Sequence, residues 1–301
     1  MAFACTILLI LGVLAGAHAM CDSALNCSLN GVCNGGSCLC DKPWGGPTCG
    51  ELQYAVTPAT AKNIYDDTDP RNTWNGPIVG PDTTGQYHIY DPIYNVGSLG
   101  GPTAILHGVA LNVTGPWDWS RPSLPTQGGE NPAFVAFTNK SSGATVFSMW
   151  MGGSVRLADS LDGPFVKVCE YPGGNPAPLL HKGQWYLTNQ GTSQVFTTTA
   201  LEPGTKWDVF ADIDHSNFPP AEEYYHVEDP FMWIDKRSNW HIINHAYKNS
   251  EYTNCGSSTV SAHFYSTDGQ HWHIDPNVQP YGHTIEYDDG TTHTYTTLER
   301  P

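Results

Sequence analysis

The chain has 301 residues, including 31 Gly and 23 Pro, so it is long enough for about two domains, poor in long helices and rich in turns. Only 13 Lys and Arg stand against 29 Asp and Glu, a formal charge of −16 that repels phosphate backbones and excludes nucleic acid as a partner. A hydrophobic fraction of 40% with 12% aromatics is enough for a core and excludes disorder over most of the chain.

In chain order, the first element is the apolar run at residues 6–17, TILLILGVLAGA, followed by Ala17-His18-Ala19, a small-x-small pattern. This pattern predicts a signal peptide over residues 1–19, cleaved before Met20. The run is shorter than the about 20 residues that cross a bilayer, and no second one follows, so no membrane span is expected. Cleavage removes Cys5 and leaves eight cysteines, an even number that suits an oxidising compartment. Asn26, Asn112 and Asn139 open Asn-x-Ser/Thr sequons. Asn26 is hindered by its neighbour Cys27, which leaves Asn112 and Asn139 as the expected glycosylation sites. The mature chain is expected to be secreted and extracellular.

Residues 20–50 carry six cysteines: Cys21, Cys27, Cys33, Cys38, Cys40 and Cys49. So short a segment has too few apolar residues for a core and must be held by bridges. Spacing alone leaves open which of the connectivities available to six cysteines is used. The stretch CSLNGVCNGGSCLCDKPWGGPTC resembles an EGF-like domain, with its Asn30-Gly31 turn, Cys-x-Cys pair and Trp44-Gly45-Gly46 turn. That resemblance implies the pairs Cys21–Cys33, Cys27–Cys38 and Cys40–Cys49. It also implies a spacing or adhesion role with contact to other extracellular proteins. Acidic residues before the first cysteine are lacking, so no calcium is expected.

Residues 51–301 repeat one unit: a polar residue, a proline, two strands, then a turn with Asp, Gly and an aromatic. It opens at Asn75-Gly76-Pro77, Asn131-Pro132, Asn175-Pro176, Asp229-Pro230 and Glu299-Arg300-Pro301, at intervals of 56, 44, 54 and 70 residues. That is the length of a four-stranded propeller blade. Strands are expected at AFVAF and TVFSMWM, PLLH and QWYLTN, and PFMWI and NWHIINHAY, from their β-branched and aromatic content. The predicted fold is all-β, a β-propeller with about four blades present. Innermost strands line the axis of a propeller, so the polar-Pro positions are expected to meet there. Alternatively, Asn, Asp and Pro stand at these places only as turn formers.

WNGPIVGPDTTGQYHIYDPIYN, then HGVA, VEDPFMWIDKRSNWHIINHAY, HFYSTDGQHW and TLERP resemble the five-bladed propeller glycoside hydrolases of the invertase and arabinanase type. The resemblance spans roughly residues 70–301. It implies hydrolysis of a poly- or oligosaccharide by two carboxyl groups that flank an oxocarbenium-like transition state, with no cofactor. Under it Glu299 is the general acid, its pKa raised by burial or by a neighbouring carboxylate, and Asp229 supplies that charge and holds sugar hydroxyls. Asn75, His88, His107, Glu228, Trp233 and His245 are the expected substrate contacts. One departure stands out: counting back from Asn75-Gly76-Pro77, the family's first-blade carboxylate falls on Thr73. Asp69 and Asp91 are the candidate substitutes, and Asp91-Pro92 is expected at the exit of its strand. A non-catalytic glycan-binding or adhesion protein is the other reading.

His226, His241, His245 and His263 cluster around Asp229 in sequence, and His241 and His245 are placed on one strand face. Metal ligation there, with His88 or His107 joining, is weighed against histidines that bind sugar hydroxyls or pack in strands; no metal site is assigned. Cys169 and Cys255 are left over as a candidate pair. Trp117, Trp119, Trp233 and Trp240 are candidates for stacking on sugar rings or for the core. The opening of a further blade at Glu299 leads to the expectation that the natural chain continues past Pro301 for about 50 to 90 residues. A ring short of one blade would leave two blade faces bare.

Overall fold

The computed structural model describes residues 21–53, 72–73, 76–94, 104–124, 131–191, 193–213, 225–248 and 261–294. Residues 1–19, Asp69, Asn75, Cys255 and Glu299 lie outside them.

A disulfide-rich module comes first, with β1 (Gly31–Asn34) paired to β2 (Ser37–Cys40), and β3 (Trp44–Gly45) paired to β4 (Glu51–Leu52). Its bridges are Cys21–Cys33, Cys27–Cys38 and Cys40–Cys49, the pairing the resemblance implies. The module's packed cluster is made of these cysteines and Trp44, with Leu29 also buried, so the bridges largely take the place of an apolar core.

Four antiparallel sheets of four strands follow. Blade 1 holds β5 (Asn72–Thr73), β6 (Ile78–Val79), β7 (Tyr87–Tyr94) and β8 (Ala104–Ala110). Blade 2 holds β9 (Ala133–Thr138), β10 (Thr145–Met151), β11 (Ser154–Ala158) and β12 (Val166–Glu170). Blade 3 holds β13 (Ala177–His181), β14 (Gln184–Thr188), β15 (Gln194–Thr198) and β16 (Asp208–Asp212). Blade 4 holds β17 (Tyr225–Ile234), β18 (Trp240–Lys248), β19 (Ser261–Ser266) and β20 (His273–Ile274). A short hairpin, β21 (Thr284–Glu286) with β22 (Thr292–Thr294), comes last. The innermost strands β9, β13 and β17 lie side by side. This is an all-β propeller with four blades among the described residues.

Blades pack face to face, so their middle strands are largely buried on both sides. Along β10, Met149 and Met151 face blade 1 and pack with Tyr90, while Trp150 faces blade 3 and packs with Trp185 and Leu187. Trp150 is fully buried, with ring centroids 5.7 Å from Tyr171, 5.5 Å from Trp185 and 5.8 Å from Trp207. Its indole N–H donates to Ser148 Oγ at 2.9 Å, so the one polar atom of the ring is satisfied. Between blades 3 and 4 the same role falls to Trp240, 4.8 Å from Tyr186, with Ile242 and Phe264 beside it.

Two expectations are corrected. Asp91-Pro92 lies inside β7, not at its exit. It sits opposite the break between β5 and β6, where Thr73 pairs with Ile93 and Ile78 with Ile89, and a strand tolerates a missing N–H at such an irregularity. Nor are the outer faces of blades 1 and 4 bare. Trp117 and Trp119 fold over Ile89 and Ala110 of blade 1, and the disulfide-rich module covers blade 4 with Trp44 and Leu52. Trp117 and Trp240 are thus core residues.

Truncating Trp150 to Ala removes the ring that joins blades 2 and 3, and is expected to lower the unfolding free energy by about 3–5 kcal/mol in a denaturant titration. Val166→Ala, at a side chain 61% exposed, is expected to change it by less than about 0.5 kcal/mol.

Candidate active site

The repeated polar-Pro openings do meet. Asn131, Asn175 and Asp229 each precede a proline, the first two just before β9 and β13 and the third inside β17, and each has a left-handed backbone, with φ of 56°, 44° and 52°. Asn and Asp tolerate this conformation better than most residues, which gives the residue type at these openings a conformational reason. The turn directs all three side chains to one point. Nδ2 of Asn175 donates to Oδ1 of Asp229 at 2.6 Å, and Nδ2 of Asn131 donates to the same oxygen at 3.2 Å. Asp229 is 3% exposed, and both amides donate to the same oxygen of its buried carboxyl group.

This carboxylate borders a cavity of about 470 Å³ that is otherwise lined by the inner strands: Gly76 to Val79, Pro132 to Phe134, Pro176 to Pro178, and Pro230 to Met232. Asp91 is fully buried just behind Gly76. A Cβ at Gly76 would lie 3.0 Å from both Cβ and Oδ1 of Asp91, so only glycine lets the cavity wall approach this carboxyl so closely. On β17 the pairing shifts between Glu228 and Phe231, and this bulge holds Asp229 and Pro230. Phe231, the next wall residue, is 57% exposed.

The other expected contacts among the described residues do not line this cavity. Glu228 accepts a hydrogen bond from Gln190 at 3.1 Å and stands 3.6 Å from Nδ1 of His245, on the blade surface beside the Asp229 bulge. Glu228, Asp229 and His245 offer three oxygen and nitrogen donors within 4.8 Å of one another, enough to hold a cation. Trp233 is sandwiched in a stack, 5.9 Å from Phe231 and 4.9 Å from His241.

His88 and His107 do not line the cavity. They sit between blades 1 and 2, 1% and 2% exposed, because their strand positions point to the blade face and not to the axis. Nδ1 of His88 and Nε2 of His107 are 2.8 Å apart, and Nε2 of His88 is 3.2 Å from Asp82. Blade 4 repeats this arrangement: Nδ1 of His241 and Nε2 of His263 are 3.0 Å apart, with Nε2 of His241 3.6 Å from Asp235. The pairs are equivalent in register, since His107 lies opposite Tyr90 and His263 opposite Ile243. In blade 1, with the Asp82 carboxylate holding a proton on Nε2 of His88, Nδ1 of His88 accepts from Nε2–H of His107. A further proton on that bridge would set two N–H groups against each other. Burial and the neighbouring His88 push His107 down to about 4, and burial also pushes His241 down to about 4. Burial, then His241, holds His263 well below the usual histidine range.

Sequence reading missed these pairs, because their members are 19 and 22 residues apart and meet only through strand register. Of the four histidines placed around Asp229, His241 and His263 pair with each other and His245 faces Glu228, while the His226 side chain lies outside the described residues. Cys169 is a buried thiol in β12, and its proposed bridge to Cys255 lies outside the described residues.

No family model and no curated protein matches the chain. Among solved structures it is similar to the endo-arabinase of Bacteroides thetaiotaomicron VPI-5482, at 10% identity and TM-score 0.49 over 79% of this chain and 91% of that one. It is similar to the GH43 protein BlXynB of Bacillus licheniformis at 16% identity and TM-score 0.49, over 72% of this chain but only 45% of that one. An endo-1,4-beta-xylanase of Bacteroides thetaiotaomicron VPI-5482 gives 14% identity and TM-score 0.45, over 68% of this chain and 75% of that one.

The histidine pairs make stability depend on pH. Each depressed histidine binds its proton in the unfolded chain near pH 6.5 but in the fold only near or below 4, so the unfolded state holds more protons across that window. Stability is full above about pH 7 and falls as pH drops from 6.5 towards 4, by about 1.4 kcal/mol per pH unit for each such histidine at the steepest point. Urea titrations at pH 7.5 and 5 are expected to show the loss. In His107→Gln it is expected to be smaller than in the wild type.

Proposed function

We propose that the chain is a secreted carbohydrate-active protein that hydrolyses a glycosidic bond in a poly- or oligosaccharide at the axial cavity. The observation that carries this reading is the clamped Asp229 carboxylate at the meeting point of three inner strands, with the Asp91 carboxyl directly behind the wall. In this reading Asp229 binds sugar hydroxyls and supplies negative charge, and Glu299 is the general acid that protonates the leaving oxygen. The remaining carboxyl is Asp91 or Asp69, since Thr73 has none. Asn75 adds a polar group at the blade 1 opening, and His245 with Glu228 flanks the site from blade 4.

The reading includes a signal peptide at 1–19, an EGF-like domain at 20–50 and a propeller domain over 51–301. Three bridges in the module and sequons at Asn112 and Asn139 support extracellular placement. Both sequon asparagines are exposed at turns, where a glycan fits.

One observation favours the second reading, a non-catalytic glycan binder. Blades 2 and 3 present amides, Asn131 and Asn175, at the axis, so Asp229 is the only carboxylate among the described residues lining the cavity.

A panel of furanosyl and pyranosyl substrates separates the two. Under the first reading, Glu299→Gln and Asp229→Asn each lower kcat/KM by about 10²- to 10⁴-fold, and comparing Asp91→Asn with Asp69→Asn identifies the third group. Unchanged hydrolysis in Glu299→Gln removes that residue from the mechanism. Absence of hydrolysis across the panel, with glycan binding abolished by Asp229→Ala, establishes the binder.

A further inference from the structure

Alternation along the strands gives blade 4 two distinct faces. Met232, Trp240, Ile242 and Phe264 form the core shared with blade 3. Trp233, His241, Ile243, His263 and Tyr265 point the other way. The corresponding face of blade 1 carries the His88–His107 pair and Tyr90, and blade 2 covers it: Phe134 stacks on Tyr90 at 4.2 Å, Phe165 meets it edge-on at 6.2 Å, and the Tyr90 hydroxyl donates to the Leu161 carbonyl.

On blade 4 the covering groups come from the disulfide-rich module. The Trp44 ring lies 5.0 Å from His263 and 6.4 Å from Trp233, nearly parallel to both at 24° and 15°. Leu52 and Tyr281 close over Ile243 beside it. Polar contacts fix the same placement. Arg237 donates to the Leu29 carbonyl at 2.6 Å and pairs with Asp41, and Leu52 N–H donates to the Pro280 carbonyl at 2.7 Å. Gly50 allows the close approach, since a Cβ there would fall 2.5 Å from Val278 Cγ1.

We propose that the disulfide-rich module serves as the neighbouring blade for this part of blade 4, so that the His241–His263 pair stays buried only while the three bridges hold Trp44 in place. The module's packed cluster is formed by its six cysteines and Trp44, with Leu29 its one other buried apolar side chain, so reduction of the bridges is expected to unfold it. The aromatic cover is then lost from blade 4 and kept on blade 1, where blade 2 supplies it. The chain thereby contains two equivalent histidine pairs, one whose cover depends on disulfides and one whose cover does not.

The test uses the full chain at pH 7.5, treated with diethyl pyrocarbonate before and after non-denaturing reduction with a trialkylphosphine, and each histidine is read by peptide mass spectrometry. His271, whose side chain is 82% exposed, reports full reactivity throughout. In the oxidised chain all four paired histidines are expected to be protected. After reduction, His263 is expected to gain at least about tenfold in rate, while His88 and His107 stay protected. Trp44→Ala is expected to open His263 selectively without reductant, and Val32→Ala, at an exposed module side chain, is expected to leave it closed. Continued protection of His263 after reduction overturns the proposal, as does simultaneous opening of both pairs.

Discussion

The structure turns on one carboxylate held by two amides. Three blades enter the axis through the same left-handed Asn-Pro or Asp-Pro turn, and the Asn131 and Asn175 amides converge on a single oxygen of Asp229. A buried carboxylate without donors is costly, and three non-glycine residues at positive φ are strained by roughly a kcal/mol or more each. Each cost is met by the others: the strained turns aim the donors, and the donors satisfy the carboxylate. The arrangement also ties blades 2, 3 and 4 together at the axis.

Away from the axis the blades are joined by aromatic rings. Tyr90, Trp150 and Trp240 each fill one interface, and each has a strand register that sends its ring to one face and its neighbours to the other. The histidine pairs follow the same logic with polar groups. Each is a two-ring hydrogen bond backed by an aspartate, closed from the outside by an aromatic ring that belongs to the next unit: Phe134 through Tyr90 in blade 1, Trp44 in blade 4. A blade face is therefore complete only when its neighbour is present.

Much of this was legible in the residues themselves. The bridges found are those implied by the resemblance that the cysteine-rich stretch and its Trp44-Gly45-Gly46 turn carry, whereas spacing alone left the pairing open. The recurring polar-Pro openings pointed to an axial meeting point, because that signal is local. What stayed hidden depends on pairing across distance. His88 and His107 read as site residues, yet antiparallel register brings them together on a blade face. Asp91-Pro92 reads as a strand end, yet a break in the neighbouring ladder absorbs the proline. Trp44 reads as a turn residue inside a small module, and nothing in its surroundings in sequence shows that its ring covers a strand pair that begins at Trp240.

The convergence at the axis is most directly tested by a double-mutant cycle between Asn175→Ala and Asp229→Ala, read by denaturant unfolding near neutral pH. A charge-assisted hydrogen bond formed across two blades predicts a coupling energy of about 1.5–3 kcal/mol, with the double variant less destabilised than the sum of the single ones. Effects that add to within about 0.5 kcal/mol would contradict the account, because the two side chains would then be neighbours without being partners.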